Sequence, residues 1–180
     1  MNDKLKEVLK MSIYLLVVLL LSLFIVTFIG QRTIVDGPSM EDTLFNNDNL
    51  VVDKLTYRFK APKRFDVIVF PYQNAKRTYF IKRIIALPGE TIYIDGDGNI
   101  FIDGELLEEE YGTEVTNYAG RAATPITLGE DEYFVMGDNR NNSTDSRFES
   151  VGNIKKNNII GRAFIRLYPF NKIGFVKNIK

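Results

Sequence analysis

The chain has 180 residues and contains no histidine, no cysteine and no tryptophan. A Ser-His-Asp triad, a thiol nucleophile, a disulfide framework and a metal held by imidazole or thiolate are therefore excluded. Lys and Arg total 23 against 23 Asp and Glu, which leaves no bulk positive charge for holding nucleic acid.

The first predicted element is an apolar helix. Residues 11–30, MSIYLLVVLLLSLFIVTFIG, carry no charge, and twenty helical residues reach about 30 Å, the hydrocarbon thickness of a bilayer. A cleavable leader has a shorter apolar core of about 7–15 residues and an A-x-A-like end. This run closes instead on Phe28-Ile29-Gly30. It predicts an uncleaved membrane anchor. Lys4, Lys6 and Lys10 precede it and Arg32 alone follows closely. The positive-inside tendency then puts residues 1–10 in the cytoplasm and residues 31–180 on the far side of the cell membrane as one domain.

After Thr33 the apolar runs are short, β-branched or aromatic, and broken by turn residues. They predict strands at 49–55, 65–70, 78–87, 91–95, 99–103, 132–136 and 159–168, hence a mainly β, antiparallel domain behind one transmembrane helix. Asp95, Asp97 and Asn99 mimic the start of a calcium loop, but Ile100 stands where its glycine is required and Leu106 where its glutamate is. A hairpin turn is the better reading. The acidic stretch from Asp103 to Glu114 reads as a solvated excursion, and 137–158 as a turn-rich segment. Two Asn-x-Ser/Thr patterns, at Asn141 and Asn142, are short enough to arise by chance. No acid follows Glu149, and the tail PFNKIGFVKNIK alternates apolar and cationic residues, which admits contact with an anionic membrane face.

With imidazole and thiol gone, the remaining nucleophile logic is a hydroxyl activated by a lysine amine. Such a lysine must lose its proton near neutral pH, and burial among apolar side chains brings that about. In TYFIKRIIAL, strand alternation puts Phe80, Lys82, Ile84 and Ala86 on one face. Lys82 is therefore the candidate base. Ser39 in VDGPSMEDTL is the candidate nucleophile: Gly37 permits unusual backbone angles, and Pro38 restricts the chain just before the hydroxyl.

Four ordered blocks then resemble type I signal peptidases, the membrane-anchored Ser/Lys leader peptidases, in their short Gram-positive-like form. They are DGPSMEDTL (36–44), RFDVIVF (64–70), YFIKRIIALPGE (79–90) and YFVMGDNRNNSTDSR (133–147). The resemblance implies a serine endopeptidase that removes signal peptides from exported preproteins after a small residue, through an acyl-enzyme and without metal or cofactor. Ser39 falls on the family's nucleophile and Lys82 on its general base. Ser143 falls on the hydroxyl that positions the amine, and Asp145 and Arg147 on a supporting ion pair. Gly37 stands where some members carry a hydroxyl. Met40, Leu44, Phe80 and Ile81 fall on positions lining the substrate pockets, and the substrate is expected to lie extended beside 34–37 and 79–81.

The implied partners are signal peptides and the lipid bilayer, with no nucleic acid, and the implied state is a monomer. Three residues depart from the family pattern: Asp42 replaces proline, Pro38 precedes the serine, and Ala86 replaces glycine. Asp42 is expected to favour the charged form of Lys82. The alternative reading is a specialised or non-catalytic factor of the same fold, serving the assembly of surface proteins such as pilins.

Overall fold

The computed structural model describes residues 3–112 and 114–176. Helix α1 (Asp3–Phe24) continues through one wider π turn, Ile25–Ile29. Within its stretch Lys6–Ile29 an 18-residue window has a mean hydropathy of 2.8, with none of that window buried against the rest of the chain, and the stretch is long and apolar enough to cross a membrane.

Twelve strands follow: β1 (Gly30–Ile34), β2 (Asn49–Asp53), β3 (Val67–Pro71), β4 (Tyr79–Ala86), β5 (Thr91–Ile94), β6 (Ile100–Ile102), β7 (Glu105–Leu106), β8 (Ile126–Thr127), β9 (Glu132–Met136), β10 (Ile154–Lys155), β11 (Gly161–Tyr168) and β12 (Gly174–Phe175). A one-turn helix, α2 (Thr56–Phe59), lies between β2 and β3. The larger sheet runs β1-β2-β11-β3-β4-β9-β10 with β12 beside β11, and the smaller runs β7-β6-β5-β8. Every strand pair among the described residues is antiparallel.

All seven expected strands form, with ends shifted by up to two residues. The additional strands are those with little apolar signal. β1 reads GQRTI and, among the described residues, pairs only with β2, and the others span two residues each. In the 95–103 segment, residues 95–99 are the hairpin turn between β5 and β6, in which the Asp95 carboxylate accepts from the Asp97 and Asn99 N–H groups and from Asn99 Nδ2.

Three apolar clusters make the core. One, including Ile85, Ala86, Ile92, Ile102, Phe134 and Met136, joins the two sheets. A second, including Val35, Met40, Leu44, Leu50 and Val67, lies under the loop after β1. The third holds Ile68, Phe70, Ile84, Tyr133 and Val135, with Phe80 packed against it. Ala86 thus leaves the face expected for it. The β4–β9 register slips between Ile84 and Ala86, and this bulge sends Ile85 and Ala86 into the same cluster, away from Phe80 and Ile84.

The acidic excursion is solvated as expected at Asp103, Glu105, Glu108, Glu110 and Glu114, but not throughout. Glu109 pairs with the buried Arg140, while Tyr111 and Thr116 are buried. Two interior arginines, Arg140 and Arg147, hold Glu109, Tyr111 and Thr116 inward, which composition alone does not reveal. Strand register separates two ends of the larger sheet. Gly30, next to α1, lies opposite Asp53, and Asp53 opposite Arg162. At the other end Ile34 meets Asn49, and Asn49 meets Tyr168. The basic tail therefore starts at the end remote from α1, and its residues 177–180, including Lys177 and Lys180, lie outside the described residues.

Candidate active site

The loop carrying Ser39 leaves the far end of β1. Gly37 adopts φ 94, a left-handed angle that side chains disfavour, and its N–H donates to Asn46 Oδ1 at 3.0 Å. A tight turn follows, with the Glu41 N–H on the Pro38 carbonyl at 3.0 Å and the Leu44 N–H on the Met40 carbonyl at 2.7 Å. Met40 and Leu44 fasten this turn into the apolar cluster beneath it. Burying one such side chain stabilises by about 1.5–3 kcal/mol.

β4 presents Lys82 to the serine from across the sheet. The Lys82 amine donates to Ser39 Oγ at 2.7 Å and to the Ile81 carbonyl at 3.1 Å, and it stands 4.9 Å from the centre of the Phe80 ring. Lys82 is only 3% exposed. This burial pulls its pKa down from 10.5 to about 8, while the Asp145 and Asp138 carboxylates pull it back up and the Arg147 guanidinium pushes it down. A substantial neutral fraction is then available just above neutral pH.

The 137–147 segment braces both residues. Asp145 and Arg147 form a fully buried pair, with Arg147 Nε on Oδ1 and Nη2 on Oδ2, both at 2.8 Å. Ser143 Oγ donates to Asp145 Oδ2 at 2.8 Å. Its hydroxyl therefore meets the carboxylate that acts on Lys82, rather than the amine on which the resemblance places it. Asp138 takes Arg83 in a second buried two-pronged pair at 2.8 and 2.6 Å, and Arg83 Nη2 also donates to Thr43 Oγ1 at 3.0 Å. This ties β4, the 137–147 segment and the serine loop together.

Asn139 completes the connection. Its N–H donates to the Ser39 carbonyl and its Nδ2 to the Pro38 carbonyl, both at 3.2 Å. Gly137 has no room for a side chain: a Cβ there would clash with Ser143 Oγ and the Ser39 carbonyl and lie 2.6 Å from Ser143 Cβ.

A cleft of about 470 Å³ opens over the pair, with Thr33–Met40 on one wall and Arg77–Lys82 on the other. Met40, Phe80, Ile81 and also Gly37 line it; Leu44 does not, being fully buried below. Both walls carry free strand edges. β1 pairs only with β2, and β9 begins its pairing with β4 at Arg83, leaving Tyr79–Ile81 open on that side among the described residues. An extended peptide can hydrogen-bond to both.

Asp42 does not act as expected on Lys82. It lines a separate cavity with Thr43, Phe45, Arg166 and Lys172, and the carboxylates that raise the Lys82 pKa are Asp145 and Asp138. Its φ of 84 is closed to proline, whose ring fixes φ near −65°. Gly137, Asp138, Asn139 and Arg83 went unassigned in the sequence. One signal for them was present: a second cation, Arg83, directly after Lys82 on an apolar strand requires an interior acid.

The chain matches the family described as signal peptidase, peptidase S26, over residues 5–168. It is 42% identical over 161 residues to a signal peptidase I of Leptolyngbya laminosa, covering 86% of this chain and 76% of that one. It is 37% identical over 170 residues to signal peptidase I P of Bacillus subtilis subsp. natto, covering 91% and 90%. A crystal structure of a signal peptidase I from Enterococcus faecalis V583 superposes with a TM-score of 0.47 at 35% identity, covering 57% of this chain and 97% of the other. A chain matched over this span, and to these relatives, belongs to the peptidase S26 family of signal peptidases, which are serine peptidases.

Proposed function

We propose that this chain is a membrane-anchored signal peptidase that cuts exported preproteins after a small residue by a Ser39/Lys82 dyad. The observation that carries this reading is the 2.7 Å hydrogen bond between a buried lysine amine and a serine hydroxyl at the edge of a cleft with two free strand edges.

Neutral Lys82 takes the proton of Ser39 as Oγ bonds to the scissile carbonyl carbon. The Ser39 N–H, which has no hydrogen-bond partner among the described residues, is oriented by the turn to receive the oxyanion. Lys82 then passes the proton to the leaving nitrogen, the C–N bond breaks, and an ester to Ser39 remains. Water next gives a proton to Lys82 and adds to the ester; the C–Oγ bond breaks, and Ser39 recovers its proton from Lys82. Ser143, Asp145 and Arg147 position the dyad, with Asp145 acting on Lys82 by charge. Met40, Phe80 and Ile81 meet the substrate, and Leu44 supports them from below. The apolar helix is the anchor, with residues 1–10 cytoplasmic, and it holds enzyme and preprotein in one plane.

Cleavage of a preprotein in vesicles by the unaltered chain, Ser39→Ala and Lys82→Ala tests this. Loss of cleavage in both variants supports the dyad, and undiminished cleavage in either refutes it. An inert unaltered chain supports the non-catalytic assembly reading.

A further inference from the structure

Residues 54–60 sit where the apolar helix ends. The Lys54 N–H donates to the Ile29 carbonyl at 3.0 Å, and the Arg58 guanidinium carbon lies 5.1 Å from the centre of the Phe28 ring. From this level α2 projects Phe59, 80% exposed, with Leu55 also exposed beside it. Lys54, Arg58 and Lys60 are their neighbours in sequence. The neighbouring Asp53 carboxylate is occupied by the Leu55 and Thr56 N–H groups at 2.9 and 3.0 Å. Single exposed apolar side chains need no explanation, but an aromatic ring among cations at the end of an apolar helix has the composition of a membrane interface.

We propose that residues 54–60 form a second lipid contact, in which Phe59 and Leu55 enter the interfacial layer while Lys54, Arg58 and Lys60 bind the phosphates of anionic phospholipids. The occupant follows from continuity: these residues touch the last turn of the helix, so they reach the bilayer surface wherever that helix leaves it. The contact fixes the tilt of the β domain above the membrane. It rests on the reading of α1 as an anchor.

The chain has no tryptophan, so Phe59→Trp gives a single fluorescent reporter. The full chain is reconstituted in vesicles of phosphatidylcholine and phosphatidylglycerol carrying brominated acyl chains, with Leu106→Trp on the smaller sheet as the reference. The expected result is several-fold stronger quenching at position 59 than at 106. That quenching should fall in phosphatidylcholine alone, and also when Lys54, Arg58 and Lys60 are changed together to Glu. Equal, weak quenching at both positions in a chain that resists alkaline extraction overturns the lipid contact while leaving the anchor standing. Strong quenching at 59 that ignores lipid charge and the triple change overturns the headgroup assignment. Release of the chain by alkaline extraction refutes the anchor itself, and the contact with it.

Discussion

With its pKa drawn from 10.5 to about 8 by burial, Lys82 gives up in the folded chain a proton that the unfolded chain keeps between those two values. The unfolded state binds more protons across that window, so stability rises with pH from about 8 to 10.5. Below it both states are charged, and the folded one bears the full desolvation penalty. Lys82→Met should therefore abolish cleavage yet stabilise the fold at pH 7 by about 3 kcal/mol, read as a higher urea midpoint; a lower midpoint would contradict the burial argument. Cleavage by the unaltered chain should climb with pH through about 8, as the neutral base accumulates. Asp145→Asn removes a charge that holds the proton on Lys82, so its pH–rate profile should move to lower pH. The same change strands Arg147 and should destabilise by about 3–5 kcal/mol. Ser39 and Lys82 were legible because each sits in a sequence that constrains it. The hydroxyl of Ser143 was not, since its choice between an amine and a carboxylate is settled only by how the segment folds back.

Whole elements explain why some positions could be read and others not. Strands with strong apolar patterns announced themselves, whereas β1 is polar and is held by pairing with β2. The bulge at Ile85 depends on the register of β9 against β4, which no property of β4 alone encodes. The inward placement of Glu109, Tyr111 and Thr116 depends on Arg140 and Arg147, the latter through Thr116 Oγ1. In the 137–147 segment the tightest constraint is Gly137, against which Ser143 and the Ser39 carbonyl both pack. Gly137→Ala should destabilise the chain by about 1–3 kcal/mol and suppress cleavage beyond what that loss accounts for, measured by steady-state rates on fully folded protein. A variant with unchanged kinetics would show that the two loops can separate without consequence.

At the scale of the molecule, tethering and geometry act together. A chain lacking residues 1–29 should still cut short soluble peptides, while its rate on membrane-embedded preproteins falls by about 100-fold, because enzyme and substrate no longer share a surface. Equal losses on both substrates would point instead to damage within the β domain. β1 also has a metric consequence. It starts at Gly30, directly after the apolar helix, and ends at Ile34 on the wall of the cleft; its four steps rise about 13 Å. On the proposed reading, a preprotein leaving the same bilayer needs up to about four extended residues to span that length and reach the cleft. If α1 is the anchor as proposed, β1 is the spacer between the end of that helix and the cleft, and its length sets the reach a leader needs before it can be cut.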